Sequence, residues 1–311
     1  MKAQLLTATL FTAFAGVLPA ADPMLLNLVM PDAKVIAGVN VQQAKGTQFG
    51  QYILNQMQTP DAHMQELIAL TGFDPRRDVR ELLVASSGFP EGKTGLALAS
   101  GTFDVAQITA AATQHGAVTE LYNNTTIIED PKQQGGLAFI SPGIVAAGDL
   151  ASVKGAIDRQ TMAQPLPADL LLKISQWSTS QDAWGISAVP PTSLLMPGAN
   201  GAPNPMLSAV GTVQRAAGGV KFGAQVVFSG EATADTAQNA QTLSDLIKLM
   251  INIAQMQVGT DPNAAALVKS VNVTASGNVI KASASLPQDM FIQMLSPKGS
   301  EIQRHTGPRR K

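Results

Sequence analysis

The chain has 311 residues, a formal charge of −1, and 45% hydrophobic but only 14% charged residues, where an average soluble domain carries about 25% charged. It has no cysteine, which excludes a disulfide framework, a thiol nucleophile and cysteine-ligated zinc or iron–sulfur centres. The near-neutral charge gives no support to a basic nucleic-acid binder, and the hydrophobicity argues against long-range disorder.

The first residues, MKAQLLTATLFTAFAGVLPAADP, read as a secretory leader. Lys2 supplies the positive start and Leu5 to Leu18 an uncharged stretch of about 14 residues. Pro19-Ala20-Ala21 supplies small residues at a cleavage region. The stretch falls short of the roughly 20 residues that span a bilayer. We expect a signal peptide over 1–21, cleaved after Ala20 or Ala21. The mature chain is then exported, to the periplasm or outside, with no transmembrane span.

The mature part opens with a short β-rich run, Val35 to Val41. Helices are expected over Gln48 to Gln58 and Asp61 to Thr71, the second capped by Asp61 and stopped by Gly72. Glu81 to Ser86 and Gly95 to Ser100 flank a Gly/Pro-rich turn and read as a hairpin. A helix over Val105 to Gln114 has Asp104 as N-cap and Gly116 as stop. A meander follows. Val118 to Tyr122 and Thr125 to Glu129 flank Asn123-Asn124, a turn pair tolerant of positive φ. Gly136 to Ile140 and Ile144 to Ala147 flank Ser141-Pro142-Gly143, and Gly148-Asp149 starts a helix ending near Arg159.

The second part rhymes with the first. Trp184 to Val189 reads as a strand, Pro190 to Pro205 as a loop, and Val220 to Phe228 as one alternating strand. A long helix over Ala234 to Gln257 carries the stripe Ala240, Leu243, Ile247, Met250, Ile251 and Ala254. Leu246 and Leu249 point off that line, so both faces of the helix are expected to be buried, one on each half. Val271 to Ala275 and Val279 to Leu286 form a hairpin, and Gln288 to Leu295 a last helix. The fold class is therefore α+β: two similar halves of mainly antiparallel sheet with packed helices. The expected organisation is a first half over 22–164, a connection over 165–182, a second half over 183–295 and a disordered tail over 296–311. That tail holds Lys298, Arg304, Arg309, Arg310 and Lys311 against Glu301.

The segment Thr71-Gly-Phe-Asp-Pro-Arg-Arg-Asp-Val-Arg-Glu-Leu-Leu83, then Gly101-Thr-Phe-Asp104, then Ala147-Gly-Asp149, resembles a group of secreted bacterial proteins of uncharacterised function. The likeness runs mainly over residues 30–160 and rests on helix ends and turns. It implies export and an α+β build, and it carries no activity or site.

Several strings imitate chemistry. Ser87 to Thr94 looks like a phosphate loop, but Gly88 is one residue too close to Gly92, Pro90 lacks an amide donor, and a strand follows. Lys93-Thr94-Gly95 lacks the upstream Ser-x-x-Lys of penicillin-binding enzymes. The histidines are His63, His115 and His305, with no nucleophile elbow to serve. Met290 with Met294, and Met250 with Met256, are expected to pack rather than hold copper. Trp177 and Trp184 bracket the connection, and aromatic residues are too few for a carbohydrate groove. No catalytic, cofactor-binding or metal-binding residue is assigned, and no cofactor. The expected function is a non-catalytic binding or interaction module of the cell envelope, with another envelope protein or an apolar small molecule as partner. Its expected site is the groove between the halves near the Pro190 to Pro205 loop. The alternatives are a hydrolase built on Asp74, Asp78, Glu129, Asp130 and Asp149, or an assembly factor with an apolar patch.

Overall fold

The computed structural model describes residues 21–56, 62–87, 94–130, 135–190, 205–257 and 262–295. In chain order the first part holds α1 (Pro23–Leu26), β1 (Val35–Asn40), α2 (Val41–Lys45), α3 (Gln48–Gln56), α4 (Ala62–Thr71), α5 (Pro75–Asp78), β2 (Val79–Ser86), β3 (Gly95–Gly101), α6 (Val105–Gln114), β4 (Val118–Tyr122), β5 (Thr125–Asp130), β6 (Gly135–Ser141), β7 (Ile144–Asp149) and α7 (Leu150–Arg159). The rest holds α8 (Ala168–Ser180), β8 (Ala183–Ser187), α9 (Pro205–Val210), β9 (Val213–Lys221), β10 (Gln225–Ala234), α10 (Ala237–Gln257), α11 (Pro262–Ser270), β11 (Asn272–Ser276), β12 (Val279–Pro287) and α12 (Gln288–Leu295).

Local chemistry fixes most boundaries. The Asp104 carboxylate accepts from the Gln107 amide at 2.9 Å and starts α6. Gly116, at φ +93°, stops it. Asn123 and Asn124 adopt φ +45° and +64°, as the two-residue turn between β4 and β5 demands.

All twelve strands join one antiparallel sheet in the order β11-β12-β10-β9-β8-β1-β2-β3-β7-β6-β5-β4. β1 and β8 meet at its centre, with Val35 opposite Ser187 and Val39 opposite Ala183. Outward from that seam the order is β1-β2-β3-β7-β6 one way and β8-β9-β10-β12-β11 the other. The first direction adds β5 and β4.

Each face carries its own core. On the first face, Leu25 and Val29 from the α1 region, Val153 and Ile157 from α7, and Ile174 and Trp177 from α8 pack on Ile36, Leu83, Leu98 and Ile186. Trp184 lies here too. A Cβ on Gly38 would stand 2.7 Å from its Cζ2 atom, so the indole needs a glycine on the neighbouring strand. On the second face, Ala240 and Leu243 of α10 pack with Val213, Ala234, Val273 and Ile280.

Two expectations are corrected. Val220 to Phe228 is not one strand: β9 ends at Lys221 and β10 begins at Gln225. The cause is Asp182, whose buried carboxylate takes the Phe222 amide at 2.6 Å and the Lys221 ammonium at 2.7 Å, drawing the chain out of the ladder. The long helix α10 is not buried on both faces. Ala240, Leu243 and Ser244 are buried, whereas Leu249, Met250, Ile253 and Met256 are exposed. Strands β10, β11 and β12 lie under one side, and no described layer covers the other. In addition, residues 168–180 of the connection form α8, and 262–270, unassigned from sequence, form α11.

This one-sided packing separates two substitutions on the same helix. Ile247 packs against the second core, so Ile247→Asp should cost about 2–4 kcal/mol through an unpaired charge at a packed site. Ile253→Asp, on the open side, should stay within about 0.5 kcal/mol. Urea denaturation of both variants checks the difference.

Candidate functional site

The centre of the sheet is apolar on both faces. Strand Glu81-Leu-Leu-Val-Ala85 shows why: apolar residues follow one another without alternation, the pattern of a strand buried on both sides. Leu83 and Ala85 face the first core and are buried. Their neighbours Leu82 and Val84 point to the second face, where they are 38% and 42% exposed.

The strand registers extend that second face into two cross-strand rows. One runs Leu137, Ala147, Ala97, Val84, Ala37. The next runs Phe139, Val145, Ala99, Leu82, Val39. All ten residues are apolar. Aromatic residues close both ends. Phe73, Phe103 and Phe139 meet in tilted contacts with centroids 5.6 and 5.8 Å apart. Opposite them, Phe49 of α3 meets Phe222 at 4.7 Å and Phe291 of α12 at 5.2 Å. Between these walls the face is a trough with two hollows. One, about 500 Å³, is lined by Val35, Val84, Ala97 and Ala147. The other, about 390 Å³, lies under α2 and α3 and is lined by Val39, Phe49, Ile53, Leu54 and Phe222. Its basic members do not confront it with free charge: Lys45 donates to the Val79 carbonyl at 2.8 Å, and Arg76 pairs with Asp74 at 2.7 Å.

The groove expected near Pro190 to Pro205 lies partly outside the described residues, at 191–204. Where the connection meets the second part there is a cavity of about 540 Å³ between α8 and strands β8 to β10. Its floor is Ile186 and Ala217, and its walls carry Lys173, Glu231, Arg215 and Asp169. These charges cancel in pairs, Lys173 with Glu231 and Arg215 with Asp169, the latter at 2.8 Å. They strap α8 to the sheet.

The five carboxylates considered for hydrolysis are mostly engaged in local structure. Asp74 caps α5 through the Arg76 amide, and hydrogen bonding from the Arg76 side chain holds it below the usual carboxylate range. Asp78 accepts from the Asp74 amide at 2.9 Å and pairs with Arg77 at 2.6 Å. Asp74 and Asp78 thus share one short helix, without facing a cleft. Asp130 ends β5. Glu129 lies beside Glu120, whose hydrogen bond pushes it up, while Lys154 holds Glu120 down. Asp149 caps α7, taking the Ser152 amide at 2.9 Å and hydroxyl at 2.7 Å, and also the Gly95 amide at 2.9 Å. Burial alone would raise Asp149, but these donors outweigh it and hold the group below its ordinary value.

The imitating motifs resolve similarly. Residues 88–93 of the loop-like string lie outside the described residues, and Gly95–Gly101 after it is a strand. His115 is the exposed C-cap of α6, and His305 lies outside the described residues. Trp177 and Trp184 are core residues. Among the described residues no cluster of three or more His, Asp or Glu could hold a metal, and no helix is long and apolar enough to cross a membrane.

No family model matches the chain, and no curated protein matches it in sequence. Among solved structures, its fold is similar to that of TP0453. Crystal form III of that protein superposes with a TM-score of 0.55 at 10% identity, covering 86% of this chain and 96% of that one. Form I gives 0.53 at 11% identity over 86% and 95%, and form IV 0.52 at 11% over 88% and 96%. At such identity the likeness is one of fold.

The Asp149 cap generates a prediction with a defined pH sign. Asp149→Ala should lose about 1 kcal/mol at pH 7. A carboxylate depressed in the folded state stabilises above its ordinary value of about 3.9 and loses that contribution as pH falls through the lower folded value. The gap between wild type and variant, followed by urea unfolding, should therefore close in acid.

Proposed function

We propose that this chain is an exported, non-catalytic binding module of the bacterial cell envelope, and that its ligand is an apolar small molecule with an acyl-type chain lying along the trough. The observation that carries this reading is the open pair of apolar rows centred on Leu82 and Val84. Surfaces of this kind are rarely left to water, and each methylene buried against them is worth about 0.8 kcal/mol. Asp74, Asp78 and Asp149 are spent on caps and ion pairs, which favours binding over hydrolysis. The leader-like start supports export. The matching strand order on either side of the seam supports reading 22–164 and 183–295 as two related halves joined through 165–182.

Displacement of a fluorescent fatty acid by palmitate tests the proposal. Wild type should bind, and Val84→Asp should weaken binding at least about tenfold while remaining folded, because Val84 is already exposed. Ile253→Asp, on the open side of α10, should bind as wild type does. Absence of binding, or equal binding by Val84→Asp, would turn the reading toward a protein partner.

A further inference from the structure

Ala21 is 5% exposed, Asp22 caps α1 by accepting from the Met24 amide at 2.8 Å, and Leu25, Leu28 and Val29 sit in the first core. At the head of this segment the Asp22 backbone nitrogen lies 3.1 Å from Oε1 and 3.3 Å from Oε2 of Glu81. Glu81 stands on β2 between Asn40 of β1 and Ser100 of β3, on the same face as the core residue Leu83. Neither strand neighbour brings a cation. The other charge acting on it is the carboxylate of Asp22 itself, which is repulsive. A half-buried carboxylate straddling one amide N–H is under-compensated: burial pushes Glu81 above its ordinary value, and the single amide pulls back less.

We propose that leader removal occurs between Ala21 and Asp22, and that the α-ammonium it creates forms an ion pair with Glu81 that locks the N-terminal segment onto the sheet. In the hydrolysis, water adds hydroxyl to the Ala21 carbonyl and a proton to the Asp22 nitrogen, and that amine takes up a further proton from solvent. The nitrogen already in contact with both carboxylate oxygens thereby changes from a neutral one-proton donor to a cationic three-proton donor. Charge-assisted hydrogen bonds of that kind are about twice as strong as neutral ones. Of the two cleavage points that the small residues allow, only this one puts the new charge on the atom facing Glu81. The inference rests on the export reading and goes beyond it, since it assigns the bond that is cut and a structural consequence of cutting it.

The test has two arms. The full chain is expressed with its leader in a bacterial host, and the N-terminus of the exported product is read by mass spectrometry; it should be Asp22. A product that keeps its leader overturns the export reading and this one together, whereas cleavage at another bond overturns this one alone. In the second arm, the chain beginning at Asp22 is compared with one beginning at Ala21, each with and without Glu81→Gln. The Asp22 chain should melt about 2–4 °C higher at pH 6.5. An amine whose pKa is raised by a carboxylate stabilises fully below its ordinary value of about 7.7–8.0, and the advantage disappears as pH rises through the raised value. Glu81→Gln keeps an acceptor for the amide but no charge, and should erase the difference. A difference that survives Glu81→Gln, or none in the native sequence, overturns the ion pair.

Discussion

The seam between β1 and β8 is the constraint on which the rest of the molecule depends. Five residue pairs join two groups of strands into one twelve-stranded sheet. The joint is close because Gly38 leaves room for Trp184, and Asp182 knots its end. The Asp182 carbonyl accepts from the Asn40 amide of β1 at 2.8 Å, its amide donates to Val220 of β9 at 2.9 Å, and its carboxylate holds Lys221 and Phe222. Two separate sheets would each have had an edge at this point, exposed to unwanted pairing. Fusing them hides both edges.

Fusion also creates the trough. A sheet this wide offers more surface on each face than a few helices can cover. On the first face α1, α7 and α8 meet the central strands and bury them. On the second, most of the helices sit toward the flanks, with α6 against β5 and α10, α11 and α12 against β10 to β12, while α2 meets β2 and β1. The middle of that face is lined with Val, Ala and Leu, and α2 and α3 cover only its Val39 end, leaving Leu82 and Val84 exposed. The central strands carry the composition of doubly covered strands, but their second cover is incomplete. That mismatch, more than any single side chain, motivates a ligand.

Much of the local architecture was legible in the sequence because it is written in short-range chemistry. Asp104 and Asp149 as caps, Gly72 and Gly116 as stops, and Asn123-Asn124 as a hairpin turn all act within a few residues of themselves. What failed depended on distant partners. The break between β9 and β10 is imposed by Asp182, about 40 residues upstream in sequence, and the alternation of Val220 to Phe228 runs straight through it. The open side of α10 reflects what does not pack above it, which helical periodicity leaves undetermined. The trough had a signal in the unbroken apolar run Leu82 to Ala85, but a run says only that both faces are apolar. Which strands lie beside it, and whether a layer covers it, is decided by the seam.

Several ion pairs and one buried cation tie elements together across the fold. Charged residues are few, at 14% of the chain, and several of the described ones fasten one element to another. Lys173 and Arg215 bind α8 to the sheet through Glu231 and Asp169. Lys154 of α7 reaches Glu120 of β4, and Arg159, buried, donates to the Leu28 carbonyl at 3.0 Å and so ties α7 to the α1 region. Two carboxylates beside the seam differ: Asp182 is buried and Glu81 half-buried. Asp182 meets the ammonium of Lys221, whereas among the described residues Glu81 meets the Asp22 amide. Desolvating a carboxylate costs free energy that one neutral donor recovers only in part. The ion pair proposed between the Asp22 ammonium and Glu81 would give this carboxylate the cationic partner that Asp182 has in Lys221.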